Sequence, residues 1–572
     1  MKRPFLAAAV LACTAVLPVA AHAQHQHGTP DMVMAHDDSV PLWSGLGSAH
    51  LPVTTSDTTA QKYFDQGLRL VYGFNHPEAI LAFRRAAQID PRCAACWWGV
   101  ALAYGPNINT PLDSTREGLA GDAVRRADSL SRVRPVRSYE AGLIRAIGRR
   151  YGRPTSDTVE HRRRDEAYAA AMDTLVHRFP RESRWVGERH RNQVLDHVQT
   201  LLAESMMDLH PWDQWTLDGR PKWNTVQVLA NLREVIARDS MHVGACHLNI
   251  HAREASQRPD SALACARRLE GLMPAAGHIV HMPSHILLLV GAYGGAVDHN
   301  DRAVRIDSAF IAWRGGEGRY PLYFAHNREF LWAAATSTGE YERALAQATA
   351  VSSVVTDTVL RTYPWAEHFL ISRLLVLTRF GRYDQVLREP PPPPARRMAT
   401  AMWRYARAIA YARTGRAAAA GVEADSLEAI RGFLAPDVAY GINSARTILQ
   451  VALLTARGEA AATIDPVAAA EPLRAAVAAQ DSLRYDEPPP FYYPVRHSLG
   501  AVLMAAGQLH EAEEVYREDL RRNPENGWSL YGLYQVLDRA GRPAEAAQVM
   551  ARFTAAWRRA DPAFQALPGS RF

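Results

Sequence analysis

Between Val243 and Ile306 the chain carries histidines at a spacing that suits a shared ligand. VGACHLNIHAREASQRPDSALACARRLEGLMP is closely followed by GHIVHMPSHILLLVGAYGGAVDHNDRAVRI, and at an offset of 34 residues His247 falls on His281 and His251 on His285. Residues three and four apart on a helix share a face, with Cβ atoms ~5–6 Å apart. Neighbouring helices pack at ~8–10 Å, so imidazoles from two of them can converge on one ion. Zinc takes nitrogen at ~2.0–2.1 Å, and catalytic zinc typically keeps three protein ligands and a water. His247, His251, His281 and His285 are therefore the candidate metal ligands, for a divalent ion such as zinc, iron or copper.

A period near 34 residues is the mark of a solenoid of helix–turn–helix units. From Thr59, QKYFDQGLRLVYGFNHPEAILAFRRAAQIDP reads as a helix, a turn at Gly73 to Pro77, a second helix and a stop at Pro91. Similar units begin near Val243, Gly277, Ala325, Glu367, Ala401, Tyr493 and Gly527, with turns QRPDSA, GAYGGA, GEYERA, GRYDQV, GRAAAA, GQLHEA and GRPAEA. Glycine makes the tight turn, and the small residue after it lets two helices touch. On Gly67, Ala79, Phe83, Ala86 and Pro91 the stretch resembles the tetratricopeptide repeat. The resemblance implies an all-α, right-handed α-solenoid of stacked helix–turn–helix repeats.

The pattern of the whole chain is also similar to a group of exported bacterial tetratricopeptide proteins. It rests on GLRLVYGFNHPEAILAFRRAA, WWGVALAYGPNIN, HMPSHI and YYPVRHSLGAVLMAAGQ. This likeness implies fold and export and lends no catalytic residues.

In the tetratricopeptide fold the first helix of each unit lines a concave groove through its second, fifth, ninth and twelfth places. Those places hold His247, His251 and Glu254 in the unit from Val243, and His278, His281 and His285 in the unit from Gly277. In the unit from Ala325 they hold His326 and Glu329. Three adjacent helices thus aim imidazoles and carboxylates at one trough. His278, His326, Glu329 and Glu254 are the candidate ligand-binding residues, and Glu254 or Glu329 could orient an imidazole or act as a base. Against this stands a plainer role, in which the histidines hydrogen-bond their neighbours in a groove or core. Pro283, between His281 and His285, either starts the helix or kinks it. His190 and His197 share a helix face and read as structural.

The remainder of the chain bounds the function. MKRPFLAAAVLACTAVLPVAAHAQ has a basic start, an apolar run and a small-residue site, as in a signal peptide cut after Ala23. Export to the periplasm or beyond is expected, with no transmembrane span. The formal charge of +6 is small and interspersed, with no basic stripe, which argues against nucleic acid. The expected order is a signal peptide (1–23), a disordered His/Met-containing lead-in (24–56) and a solenoid with the His-rich groove (57–389). A Pro-rich link (390–400), further helical repeats (401–480), a second Pro-rich link (481–492) and C-terminal tetratricopeptide repeats (493–572) follow. His25, His27, Met32, Met34 and His36 in the lead-in have side chains that suit copper. Cys93 with Cys96 and Cys246 with Cys265 are candidate disulfides in an oxidising compartment. Tyr492, Tyr493, Arg496 and His497 could hold a carboxylate, but packing between units is their simpler role.

Two functions follow from these residues. The first is a scaffold whose groove binds a peptide, a protein segment or a small acidic ligand. The second is a metal-dependent hydrolase or oxygenase using the paired histidines.

Overall fold

The first hairpin shows how local sequence builds each unit. Asp57 caps the helix Thr58–Tyr72 by accepting from the Thr59 and Ala60 amides at 2.7 and 2.9 Å, which satisfies N–H groups that a helix start leaves unpaired. Pro77 lies in the first turn of the return helix His76–Ile89, where proline loses no hydrogen bond. Phe83 then plugs the pair. A Cβ on Gly67 would stand 2.7 Å from its ring and one on Gly99 2.5 Å from it, so only glycine lets the backbones approach this closely.

The computed structural model describes residues 40–183, 187–315, 320–565, 567, 569 and 570. The expected signal peptide and the His/Met residues at 25–36 lie outside the described residues. Within the described residues the chain is a tetratricopeptide-like α-solenoid, its only ladder of strands being Ala439–Tyr440 with Asn443–Ser444. The 34-residue pitch holds where the sequence places it: Val243–Arg253 is followed by Gly277–His281, and Leu509–Arg522 and Pro543–Ala556 follow their partner helices. Gly291 and Gly507 occupy the inter-helix turns at φ 80° and 76°.

Two expectations change, the start of the unit near Ala325 and the disorder of the lead-in, while the helical reading of residues 105–243 and the Cys93–Cys96 bridge hold. Residues 105–243, where the repeat register is hard to follow, hold the helices Ser114–Val133, Ser138–Ile147, Thr158–Glu182, Glu188–Met207 and Thr225–Arg238. Long loops such as 208–224, rather than loss of helix, break the register. The unit expected from Ala325 starts earlier, in the helix Tyr320–Thr338. The described part of the lead-in, from Val40, is not disordered: Leu46, Leu51 and Val53 are buried in the core, and the Trp43 amide donates to Gln66 Oε1 at 2.7 Å. Cys93 and Cys96 are disulfide-bonded, with Cα atoms 5.4 Å apart. Bridging is possible because Cys93 is an extended N-cap rather than a helical residue. Cys246 and Cys265 are bridged across their hairpin, Cα atoms 4.9 Å apart.

The core divides near residue 290. One cluster runs from Leu46 to Ile286 and another from Ala296 to Leu567. The superhelix curls until its C-terminal units meet its middle. Trp528 Nε1 donates to the Thr336 carbonyl at 3.1 Å, and Arg559 donates to the Gly294 carbonyl at 3.0 Å while pairing with Asp298 and Glu340. The candidate histidines sit at the division, where closure of the curl covers them.

Candidate metal centre

The six histidines form two sets of three, and the repeat dictates the division. His247 and His251, from the fifth and ninth places of one unit, meet His278 from the second place of the next. His281 and His285 meet His326 in the same way one unit on. Within each set one nitrogen per ring lies within 4.8 Å of the others. A third grouping crosses the division, bringing His251 and His285, one from each H-x-x-x-H pair, together with Glu254 and Glu487.

Hydrogen bonds orient the rings. His247 Nδ1 lies 2.7 Å from the Tyr72 carbonyl oxygen, which can only accept, so Nδ1 carries the proton and Nε2 the lone pair. His281 Nδ1 lies 2.7 Å from Asn300 Oδ1. The Asn300 amide is itself set by donation from Nδ2 to the Ala296 carbonyl and Ser284 Oγ, each at 2.8 Å. Glu254 takes one ring from each set, with Oε1 3.0 Å from His251 Nδ1 and Oε2 2.9 Å from His285 Nδ1. Glu487 also contacts His285 Nδ1. An acceptor on the far nitrogen is how proteins fix the tautomer of a ligating imidazole.

The near nitrogens then converge. His247 Nε2 stands 3.1 Å from His251 Nε2 and 3.2 Å from His278 Nε2, and His281 Nε2 stands 2.7 Å from His285 Nε2. Donors placed ~2.0–2.1 Å from a tetrahedral ion are about 3.3 Å apart. Burial pushes His247 down to about 3 and His326 to about 4. It also pushes His251, His278 and His281 well below the usual range, helped by the neighbouring imidazoles. Neutral imidazoles are the form that binds metal. Burial, and next to it Glu487, push the Glu254 carboxyl well up.

Aromatic rings brace each set. Phe74 packs on His247, His251 and His278 with ring centroids 4.5, 5.9 and 5.5 Å away. It does so from a left-handed backbone, φ 55°, a conformation that costs a side-chain-bearing residue roughly 1–2 kcal/mol. Phe330 plays the matching part, 4.6, 4.7 and 4.9 Å from His281, His285 and His326. The Pro283 question resolves as a kink. Gly277–His281 and Pro283–Leu289 are two short helices joined through the helical Met282, and the bend keeps His281 beside His285.

The expected groove is a partly covered chamber. The four paired histidines are at most 4% exposed. The segment expected as a Pro-rich link crosses over them: Arg484 pairs with Asp213 at 2.8 Å, Glu487 reaches His285, and residues 488–492 line a cavity of ≈ 200 Å³ together with His251, His278, His285, His326 and Glu329. Glu487 was invisible to repeat reasoning because it lies in a linker, about 200 residues beyond the histidines. Its acidic type among prolines was the only signal. Glu329 faces His368, Oε2 to Nε2 at 3.5 Å, rather than an imidazole of either set.

The other candidates have local partners. Arg496 pairs with Asp481 at 2.6 Å, Tyr493 bonds Ser498 at 3.1 Å, and Tyr492 lines the chamber. His197 accepts at Nδ1 from the Tyr72 hydroxyl, 2.8 Å away, and from His242 Nε2, 3.1 Å away. Its Nε2 donates to the His50 carbonyl at 3.1 Å. His242 Nδ1 accepts from the Ala245 amide. Every nitrogen of that pair is satisfied within the protein, which makes it structural.

No family model matches the chain, and no curated protein matches it in sequence. Among solved structures it is similar to Ypp1, at 8% identity and a TM-score of 0.44 over 87% of this chain and 83% of that one. It is also similar to yeast Tom70, at 9% and 0.28 over 87% and 91%, and to the APC/C Cut9–Hcn1 assembly, at 10% and 0.27 over 86% and 93%. Likeness this distant transfers no site and no activity. No helix among the described residues is long and apolar enough to cross a membrane.

Proposed function

We propose that the chain is an exported metal-dependent enzyme built on a repeat scaffold, with two transition-metal ions side by side, each on three imidazoles. The observation that carries this reading is the convergence of the Nε2 atoms within the pairs His247–His251 and His281–His285, whose Nδ1 atoms all face oxygen atoms. Lone pairs 3.1 and 2.7 Å apart repel unless a proton or a cation lies between them. Burial disfavours added protons on these rings. Imidazole suits zinc, copper, iron and nickel, whereas magnesium, calcium and manganese prefer oxygen, and of the former copper binds most tightly. Three protein ligands per ion leave a position for water or substrate.

The chamber weighs against the peptide-groove alternative. Its ≈ 200 Å³ suits a small molecule, and the 484–492 segment caps it. Its lining has three carboxyl groups, Glu329, Asp486 and Glu487, and no lysine or arginine. A small acidic ligand would find only the metal ions to meet its charge.

The test is metal content after purification of the exported protein without a histidine tag. About two equivalents per chain are expected after reconstitution, and His251→Ala with His285→Ala should lose them while the helical signal persists. Absence of any transition metal, or its retention by the double variant, sinks the reading.

A further inference from the structure

The repeat that builds the two sets continues one unit further with its chemistry changed. At the places of the next set stand Glu329, Ala333 and His368. Alanine at the ninth place removes a ligand, so this third set cannot hold an ion as the first two do. It opens space instead, and Glu329, Ala333 and His368 all line the chamber. His368 Nδ1 lies 2.9 Å from the Trp365 carbonyl oxygen, which directs Nε2 towards Glu329.

Aromatic residues line the chamber: Trp212, Trp332, Phe369, Tyr440 and Tyr492. Besides His278 Nδ1, two polar atoms on the lining, Trp332 Nε1 and Ser372 Oγ, are buried with no hydrogen-bond partner. Their residues are 4% and 1% exposed, and an unsatisfied buried donor costs about 1–3 kcal/mol. A ligand oxygen would satisfy both. The carboxyl groups already have partners: Glu329 has His368, Glu487 has His285 and Tyr485, and Asp486 accepts from the Ile442 and Glu487 amides. No lysine or arginine lines the space to receive an anion. A cavity of ~150 Å³ already accommodates benzene.

We propose that the chamber beside the metal centre binds a neutral single-ring phenol, its ring against the aromatic walls and its oxygen on Trp332 Nε1 and Ser372 Oγ. The inference rests on the reading of this chamber as the working site, and names its substrate class. Faces of aromatic rings select a planar ring over a puckered one. The two orphan donors select one oxygen substituent, and the carboxyl groups select against a charged one.

Binding of phenol, cyclohexanol and benzoate to the full chain tests this by calorimetry, in metal-free and zinc-loaded protein. Zinc is redox-inert and permits no oxidative turnover. Phenol should bind both forms, with cyclohexanol weaker by about tenfold and benzoate weaker than phenol in the metal-free form. Trp332→Phe, which keeps a ring and removes the donor, should weaken phenol by about tenfold, and Ser372→Ala should weaken it by a smaller factor. The proposal is overturned if cyclohexanol binds as well as phenol, if benzoate binds metal-free protein more tightly, or if Trp332→Phe binds phenol like the wild type. Metal analysis of the same samples separates the two claims. Two bound metals with no phenol binding removes only the substrate class, and phenol binding by a chain that takes up no metal removes only the metal centre.

Discussion

His497 and His281 hold the same place in their repeat units, the fifth of a first helix, and both are fully buried. They differ in what faces them. Arg379 donates to His497 Nδ1 at 2.7 Å, and His497 Nε2 lies 3.1 Å from Asp519, so both ring nitrogens are satisfied inside the C-terminal units. His281 has the same kind of partner on one side, Asn300, but on the other its lone pair faces that of His285. A histidine with two matched partners completes a core. One with a matched partner on the far side only has the arrangement that a metal ligand needs. Register puts an imidazole in place, and the opposing atoms decide its role.

The most forceful way to break this contrast is to delete each histidine. His281→Ala should abolish binding at its set while the thermal midpoint of the metal-free chain moves little. His497→Ala should leave metal content intact and cost about 3–5 kcal/mol, because Asp519 and Arg379 lose a buried partner. Metal analysis and denaturant unfolding of both variants read the two effects. If His497→Ala loses metal, or His281→Ala loses as much stability as His497→Ala, the distinction fails.

Acid sharpens it from the structural side. Burial pushes His242 down to about 4 and His197 well below its usual range. Both are neutral when folded, but below ~6.5 the unfolded chain takes up their protons. Their contribution is therefore complete above ~6.5 and is lost as pH falls towards 4. His242 alone accounts for about 3 kcal/mol. Unfolding of chelator-treated protein at pH 7 and pH 4 should show this loss. His242→Asn, which preserves a capping residue, should show a shallower slope, and an equal slope would refute the assignment.

Smaller effects probe the support around the ligands. Asn300→Leu removes the acceptor behind His281 and should weaken metal binding about 10–100-fold with the helices intact. Unchanged affinity would mean that the ring is held by Phe330 packing alone. Gly507→Ala is the control: at φ 76° a side chain costs about 1 kcal/mol, with no change in bound metal.

Much of the fold was legible because each hairpin is a local decision. A glycine in the turn, small residues in the contact and apolar residues at helical period need no distant partner, so Gly291 and Gly507 fall in turns as the sequence implies. The lead-in from Val40 escaped because it has no period, although Leu51 is fully buried and Val53 nearly so. The sets of histidines were half legible. His247, His251, His281 and His285 repeat at 34 residues, and His278 and His326 lie at equivalent places one unit on. Glu487 and the capping segment carry no repeat signal, and their meeting with His285 depends on how far the superhelix turns.

The sequence alone determined the helical repeat, the pitch and the equivalence of places between units, since all three are set by contacts within some forty residues of chain. Tertiary structure alone decided how the six imidazoles group, that a linker segment covers part of the groove, and that a linker carboxylate reaches His285. Small rotations between successive units accumulate along a solenoid. Whether residue 487 meets residue 285 is therefore a property of the whole curl, which no local pattern encodes.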